Sequence, residues 1–262
     1  MRALWNGTIS FGLITIPVKL YPATKEGRLD MDILHQSDLG RIHYARICSV
    51  DGKEVPYKDV VKGYEVSKGH YVVLTDDDFR RANARKTKSI DIVGFARQEE
   101  VDPIYYEKPY YLEPANGAEK AYALLREALR RSDKVGIATF VLRNHEHVAV
   151  LRPYNSIIVL NQLRFQTELR DMNELQMPDP RLEEREMAMA MALVEHLTEE
   201  FHPEEFRDTY TDELLRVIRD KSKGRTPKQK EKEPEPTKVS DLSRLLQESM
   251  RTGRQKFPTH IR

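Results

Sequence analysis

The chain has 262 residues, with 43 Lys and Arg against 42 Asp and Glu and a single cysteine. A net charge of +1 excludes a uniformly basic surface, so any acidic partner would have to be met by a localised patch. One cysteine excludes an intrachain disulfide and a multi-cysteine metal site, and no apolar stretch approaches the roughly 18 residues of a membrane span; a cytoplasmic protein with a substantial core is expected.

The first apolar run, WNGTISFGLITIPVKLY, begins at Trp5. Asn6, Thr8 and Ser10 interrupt it and Pro17 stops it, which argues against a secretory signal. Ile9, Phe11 and Leu13 alternate with small or polar residues, and Ile14, Ile16, Val18 and Leu20 continue on the opposite parity, so a bulge or tight bend beside Gly12 would let both halves face one core. GRIHYARIC, KEVPY, HYVVLT, SIDIVGF and PIYYEKPYYLEP read as further strands, with a short helix in DDDFRRANAR started by Asp76, Asp77 and Asp78. GAEKAYALLREALRRSDK carries Ala121, Leu124, Leu125, Ala128 and Leu129 at helical spacing, and VGIATFVLR and HVAVLRPYNSIIVLNQL return to strand composition. From Asp179-Pro180, as N-cap and first helical residue, Met187, Ala190, Met191, Val194, Leu197 and Phe201 predict a long amphipathic helix, and Leu214, Leu215, Val217 and Ile218 a second, shorter one. KSKGRTPKQKEKEPEPTK has the composition of a flexible linker, after which Val239, Leu242, Leu245, Leu246 and Met250 fall on one helical face. No internal repeat is visible.

Motifs for catalysis are missing: there is no G-x-S-x-G, Walker A loop, dinucleotide fingerprint or H-E-x-x-H. His145 and His147 would share a strand face but have no evident third ligand, and Cys48 reads as a buried or half-buried thiol. The basic residues say more. Arg41, His43, Arg46, Lys53, Lys58 and Lys62 recur along what reads as a β-hairpin or extended arm, interleaved with Tyr44, Tyr57 and Tyr64, and such an arm is suited to following a phosphate backbone. Ordinary exposed strand residues would look the same. RRANARKTK, with Arg80, Arg81, Arg85, Lys86 and Lys88, is equally open to either reading.

WNGTISFGL with IPVKLY, then GRIHYARIC, KGYE, GHYVVLT, PIYYEKPYYLEP, KAYALLREAL, VGIATFVLR, VLRP and FHPEEFRDTYTDELLRVI, in that order, resemble the prokaryotic Ku family of non-homologous end joining, and the similarity runs to about Lys223. The tail VSDLSRLLQES resembles that family's C-terminal segment. The resemblance implies a mixed α and β fold: a β-barrel core whose extended β arm closes a ring around duplex DNA in a homodimer, then a helical C-terminal arm and a flexible tail. The domain plan is then 1–178 for core and arm, 179–222 for the helical arm, 223–238 for the linker and 239–262 for an amphipathic docking segment. It implies sequence-independent binding of double-stranded DNA ends, no enzymatic activity, no cofactor, and an ATP-dependent DNA ligase as partner. DNA-contact candidates on this reading are Arg41, Arg46, Lys53 and Lys62 on the arm, with Lys19, Arg143 and Arg152 near the barrel; Arg143 has the dimer interface as an alternative. Val239, Leu242, Leu245, Leu246 and Met250 would hold the ligase, unless the segment folds back on its own core. Many relatives carry C-x-x-C where this chain has CSVD, with Asp51 in place of the second cysteine, so a zinc or redox role for that pair does not transfer. Two rival functions remain: an interaction adaptor with a Ku-like core that does not thread DNA, and a metal-dependent nuclease using His145 and His147.

Overall fold

In a computed structural model of the chain, described over residues 1–25, 27, 29–82, 88–143, 145–178 and 182–225, the first apolar run forms two strands, β1 (Trp5–Phe11) and β2 (Ile14–Pro22). They pair antiparallel with Phe11 opposite Ile14 and Ile9 opposite Ile16. The parity reversal is thus a two-residue hairpin turn. Gly12 takes a φ of 57°, the first central position of such a turn, and Leu13 stands fully in solvent while Ile9 and Ile16 are buried together.

Five more strands complete a closed barrel: β5 (Ser89–Arg97), β6 (Tyr106–Pro114), β7 (Lys134–Leu142), β8 (His145–Tyr154) and β9 (Ile157–Leu163). Their order around the barrel is β1-β2-β6-β9-β8-β7-β5. Every pairing is antiparallel except the one that closes the circle, where Thr8, Ile9 and Ser10 of β1 lie parallel to Ser89, Ile90 and Asp91 of β5. Alternation puts Ile9, Ile16, Val18, Leu20, Ile90, Leu112, Ala138, Ala149, Leu151, Ile158 and Leu160 in the interior. Outside the barrel a second cluster forms where Val101, Tyr105 and Tyr106 cover Val135, Val150 and Leu163, which buries β9 on both faces.

One end of the barrel is closed by helix α2 (Glu119–Ser132), whose Tyr122, Leu125 and Leu129 join the interior cluster. Of the apolar face expected from the sequence, Leu125 and Leu129 are buried and Ala121 is half-buried, whereas Leu124 and Ala128 are exposed and Tyr122 takes the inward position instead. The Tyr122 hydroxyl donates to the Leu112 carbonyl (2.5 Å) and accepts from the Ile158 amide (2.6 Å), joining β6 to β9 where their ladder ends. Arg126 and Arg130 donate to the carbonyls of Ser156 and Asn155 in the β8–β9 turn.

The opposite end carries the start of β1, the end of β2 and the start of β5, so residues 23–88 leave and return at the same rim. The strands expected in GRIHYARIC and KEVPY do not form. Residues 31–56 instead make two small knuckles, closed by the bridges Leu34↔Arg41 and Ile47↔Glu54. The knuckles repeat one construction thirteen positions apart, 35 to 48 and 38 to 51. The His35 and Cys48 amides donate to the carbonyls of Gly40 and Lys53, Leu39 (φ 58°) and Gly52 (φ 70°) turn left-handed, and Asp38 and Asp51 each accept the amide two residues on. These Asx turns compete with extended pairing, and almost no sequence identity marks the repeat. Beyond them β3 (Lys62–Ser67) and β4 (His70–Leu74) form a separate two-stranded sheet that is exposed along nearly its whole length. Helix α1 (Asp76–Ala82) follows, with Thr75 and Asp78 hydrogen-bonding reciprocally at its start.

Residues 1–27 and 31–172 belong to this first unit, and the described part of a second holds residues 29–30 and 173–225. The second contains α3 (Glu184–Leu197) and α4 (Thr209–Ser222). Asp179 and Pro180, expected to begin the first of these helices, lie outside the described residues; the observed helix has Glu183 as N-cap and ends before Phe201, which stacks on Phe206 with centroids 5.5 Å apart. Asp208 caps α4 by accepting from the Thr211 amide (3.1 Å).

Candidate nucleic-acid interface

On β2 the alternation that buries Val18 and Leu20 turns Lys19 and Tyr21 outward. Lys19 lies opposite Glu113 of β6, 3.8 Å from its carboxylate, which also accepts the Tyr21 hydroxyl proton at 2.6 Å. That hydrogen bond raises the Tyr21 pKa, because ionising the phenol would lose it and set two anions together. Across the sheet Tyr21, Tyr111, Val159 and Arg152 stand in one register row on β2, β6, β9 and β8. Lys19 and Arg152 thus both point outward, but their strands are three places apart in the closed ring of seven, so the two cations stand on nearly opposite sides of the barrel. Arg152 is held there by donating to the Asn161 side chain (3.0 Å) and by lying over the Tyr154 ring, 5.4 Å from its centroid.

Arg143 sits elsewhere. It occupies the β7–β8 turn at a φ of 54°, on the rim from which residues 23–88 depart. Inside that rim the Tyr110 hydroxyl donates to Gln162 at 3.4 Å, and Gln162 donates to Glu107 at 2.9 Å. Burial raises the Tyr110 pKa, Glu107 adds to the rise, and Arg143 opposes it. His147 lies against Phe140 in the same mouth, and burial holds its pKa below the usual value despite a hydrogen bond to the Leu142 backbone. Lys88 and Lys108 are exposed on this rim as well. Lys108 was not among the candidates read from the sequence, because the register shift between Tyr106 and Lys108 re-aims the strand at its start.

The four arm candidates are present and exposed, but not on one continuous ribbon. Arg41 and Lys53 lie in the two knuckles, Arg41 bound to Asp32 (2.8 Å) and Lys53 to Asp51 (3.6 Å). Arg46 lies between the knuckles with its guanidinium 5.0 Å from the Tyr57 ring centroid. Lys62 opens β3 with its ammonium 4.8 Å from the Phe79 ring centroid. A cation resting on a ring is restrained without being neutralised, so its charge remains available to a phosphate. Cys48 is half-buried, as expected. Among the described residues no three or more His, Cys, Asp or Glu side chains are grouped to hold a metal ion, and the docking candidates Val239, Leu242, Leu245, Leu246 and Met250 lie outside the described residues.

The family model described as the Ku70/Ku80 beta-barrel domain matches residues 10–189 of the chain. A protein of Opitutus terrae named non-homologous end joining protein Ku is 44% identical over 254 residues, spanning 95% of this chain and 91% of the relative. Proteins of the same name from Archaeoglobus fulgidus (42% over 229 residues, 86% of this chain and 90% of the relative) and Bacillus subtilis (38% over 254 residues, 95% and 82%) are similar over comparable lengths.

Proposed function

Because the chain belongs to the Ku family, we propose that it acts in DNA double-strand break repair by binding duplex ends without regard to sequence, as a ring-shaped homodimer and without catalysing a reaction. Membership of a family whose relatives are named for non-homologous end joining carries the reading. The fold supports it in two ways. The arm of residues 23–88 is anchored at both ends on one barrel rim and carries exposed cations, as a segment that reaches around a duplex requires. Ile33, Leu34, Tyr44, Ile47, Tyr64, Val66, Tyr71 and Val73 of the arm are also exposed, and a two-stranded sheet is at best marginally stable alone, so a second copy of the chain is the natural cover. Contacts to phosphate and sugar carry little sequence information, which suits a protein that must accept any broken end. A net charge of +1 is compatible with this, since a ring needs cations only on its inner wall.

In the domain plan we favour, residues 1–178 form core and arm, 179–222 the helical arm, 223–238 a linker, and 239–262 a segment that recruits an ATP-dependent DNA ligase through Val239, Leu242, Leu245, Leu246 and Met250. Lys19, Arg41, Arg46, Lys53, Lys62, Arg143 and Arg152 are proposed to face the DNA, with Lys88 and Lys108 added from the rim.

The test compares linear with relaxed closed-circular duplex of one sequence. Binding is expected to need an accessible end, and to weaken by about three to five orders of magnitude between 50 and 200 mM salt if roughly 6 to 10 phosphates are neutralised. Equal affinity for circles and linear DNA would sink the threading claim and favour an adaptor role. Removing the residues after Thr237 should leave end binding intact and lower stimulation of the ligase; undiminished stimulation would end the docking role.

A further inference from the structure

The candidate cations fall into two groups by what holds them. Arg46, Lys62 and Arg152 rest on aromatic rings, whereas Arg41, Lys53 and Lys19 each face a carboxylate, of Asp32, Asp51 and Glu113 respectively. We propose that Asp32, Asp51 and Glu113 are built-in competitors of DNA phosphate, which give up their cations when duplex binds and so set how tightly the protein grips it. This rests on the DNA-end reading above and adds to it residues of the opposite charge.

The three pairs are exposed at the surface, where such an ion pair contributes only about 0.2–1 kcal/mol and yields readily to another anion. A line of phosphates with releasable counterions is such an anion. Two of the carboxylates are also fastened independently of their cations. Asp51 accepts the Lys53 amide at 3.2 Å and a hydrogen bond from the Cys48 side chain, which hold its pKa below the usual carboxylate value, the amide being the larger cause. Glu113 accepts from Tyr21. Neither can swing far when its cation leaves, so each stays beside the phosphate as a repelling charge. The consequence is a weaker hold at these positions than the cations alone would give, while the ring-held cations keep a constant one.

Asn and Gln keep the acceptor oxygen that the Lys53 amide and the Tyr21 hydroxyl need, so Asp32→Asn, Asp51→Asn and Glu113→Gln remove charge with little change of shape. The triple variant, each single variant and the wild type would be titrated with a fluorescent linear duplex at 100 mM salt, after thermal unfolding has shown which variants fold. Each single change should tighten binding about two- to fivefold, and the triple on the order of tenfold, the factors that correspond to losing such pairs. Glu99→Gln with Glu100→Gln, which frees Arg97 at the far end of β5 from partners at 3.0 and 3.1 Å, adds charge away from the proposed surface and should change affinity less than twofold. The charge-keeping Asp32→Glu, Asp51→Glu and Glu113→Asp should bind as the wild type does. Unchanged affinity in the carboxamide variants, equal tightening in the Arg97 control, or tightening in the charge-keeping set would each overturn the proposal. Failure of the wild type to bind linear duplex would instead overturn the reading on which it rests.

Discussion

A single hydroxyl closes the ladder at the helix-capped end of the barrel. Tyr122 is buried, and its oxygen satisfies both the Leu112 carbonyl and the Ile158 amide, so replacing it by Phe leaves two buried backbone groups without that partner. Tyr122→Phe is expected to cost about 2–3 kcal/mol and lower Tm by roughly 5–10 °C, measured by thermal unfolding. A change below 1 °C would mean that water takes over both bonds. The helical spacing of α2 was legible in the sequence, and it picked out Leu125 and Leu129 as inward-facing, but it also included Leu124 and Ala128, which are exposed, and left out the buried Tyr122. The use of the Tyr122 hydroxyl was not legible, because its two partners lie 10 and 36 residues away.

At the scale of elements, the barrel is weakest where it closes, since β1 and β5 share only three paired positions. Gly7 sits beside that seam under the Trp5 ring. A methyl group added there would lie 2.1 Å from the ring and 2.2 Å from the Lys88 carbonyl, which accepts the Thr8 amide. Gly7→Ala must therefore shift backbone at the seam and should destabilise by about 2 kcal/mol or more, whereas Gly12→Ala meets open space and carries only the left-handed penalty of about 1–2 kcal/mol. Urea unfolding of the two variants ranks them; the opposite order would show that the seam relaxes freely. Strands such as β2 could be read from the sequence because they bury alternate residues, and β9, buried on both faces, from its unbroken apolar run Ile157–Leu160. Around the arm the same composition misled: Ile42 and Tyr44 alternate with Arg41 and His43 like a strand, but Asp38 and Asp51 capture local amides and the chain curls into knuckles. The candidate cations Lys19 and Arg152 came from the family resemblance, and alternation on β2 and β8 accounts only for their pointing outward, whereas the partners of Arg41, Arg46 and Lys62 depend on loop paths that carry no period.

At the scale of the molecule, Met187, Met191, Val194 and Leu197 of α3 are exposed, as are many apolar residues of the arm. Sedimentation at low micromolar concentration should give about twice the 30.6 kDa chain mass. Leu193→Asp should lower that mass towards one chain, because burying an unpaired carboxylate is costly. A wild-type protein that sediments as a single chain would contradict the proposed dimer. The path of the backbone has a further consequence. The arm is an insertion between two strands that both neighbour β1, leaving after Pro22 and rejoining at Ser89. Barrel register is fixed entirely by residues outside it, so an insertion or deletion at a knuckle changes the reach of the arm without moving a barrel strand out of phase. A lineage could therefore lengthen, shorten or recharge what surrounds its ligand while keeping the frame that carries it, and the cost of such experiments to the frame is confined to the few residues where the two ends meet the rim.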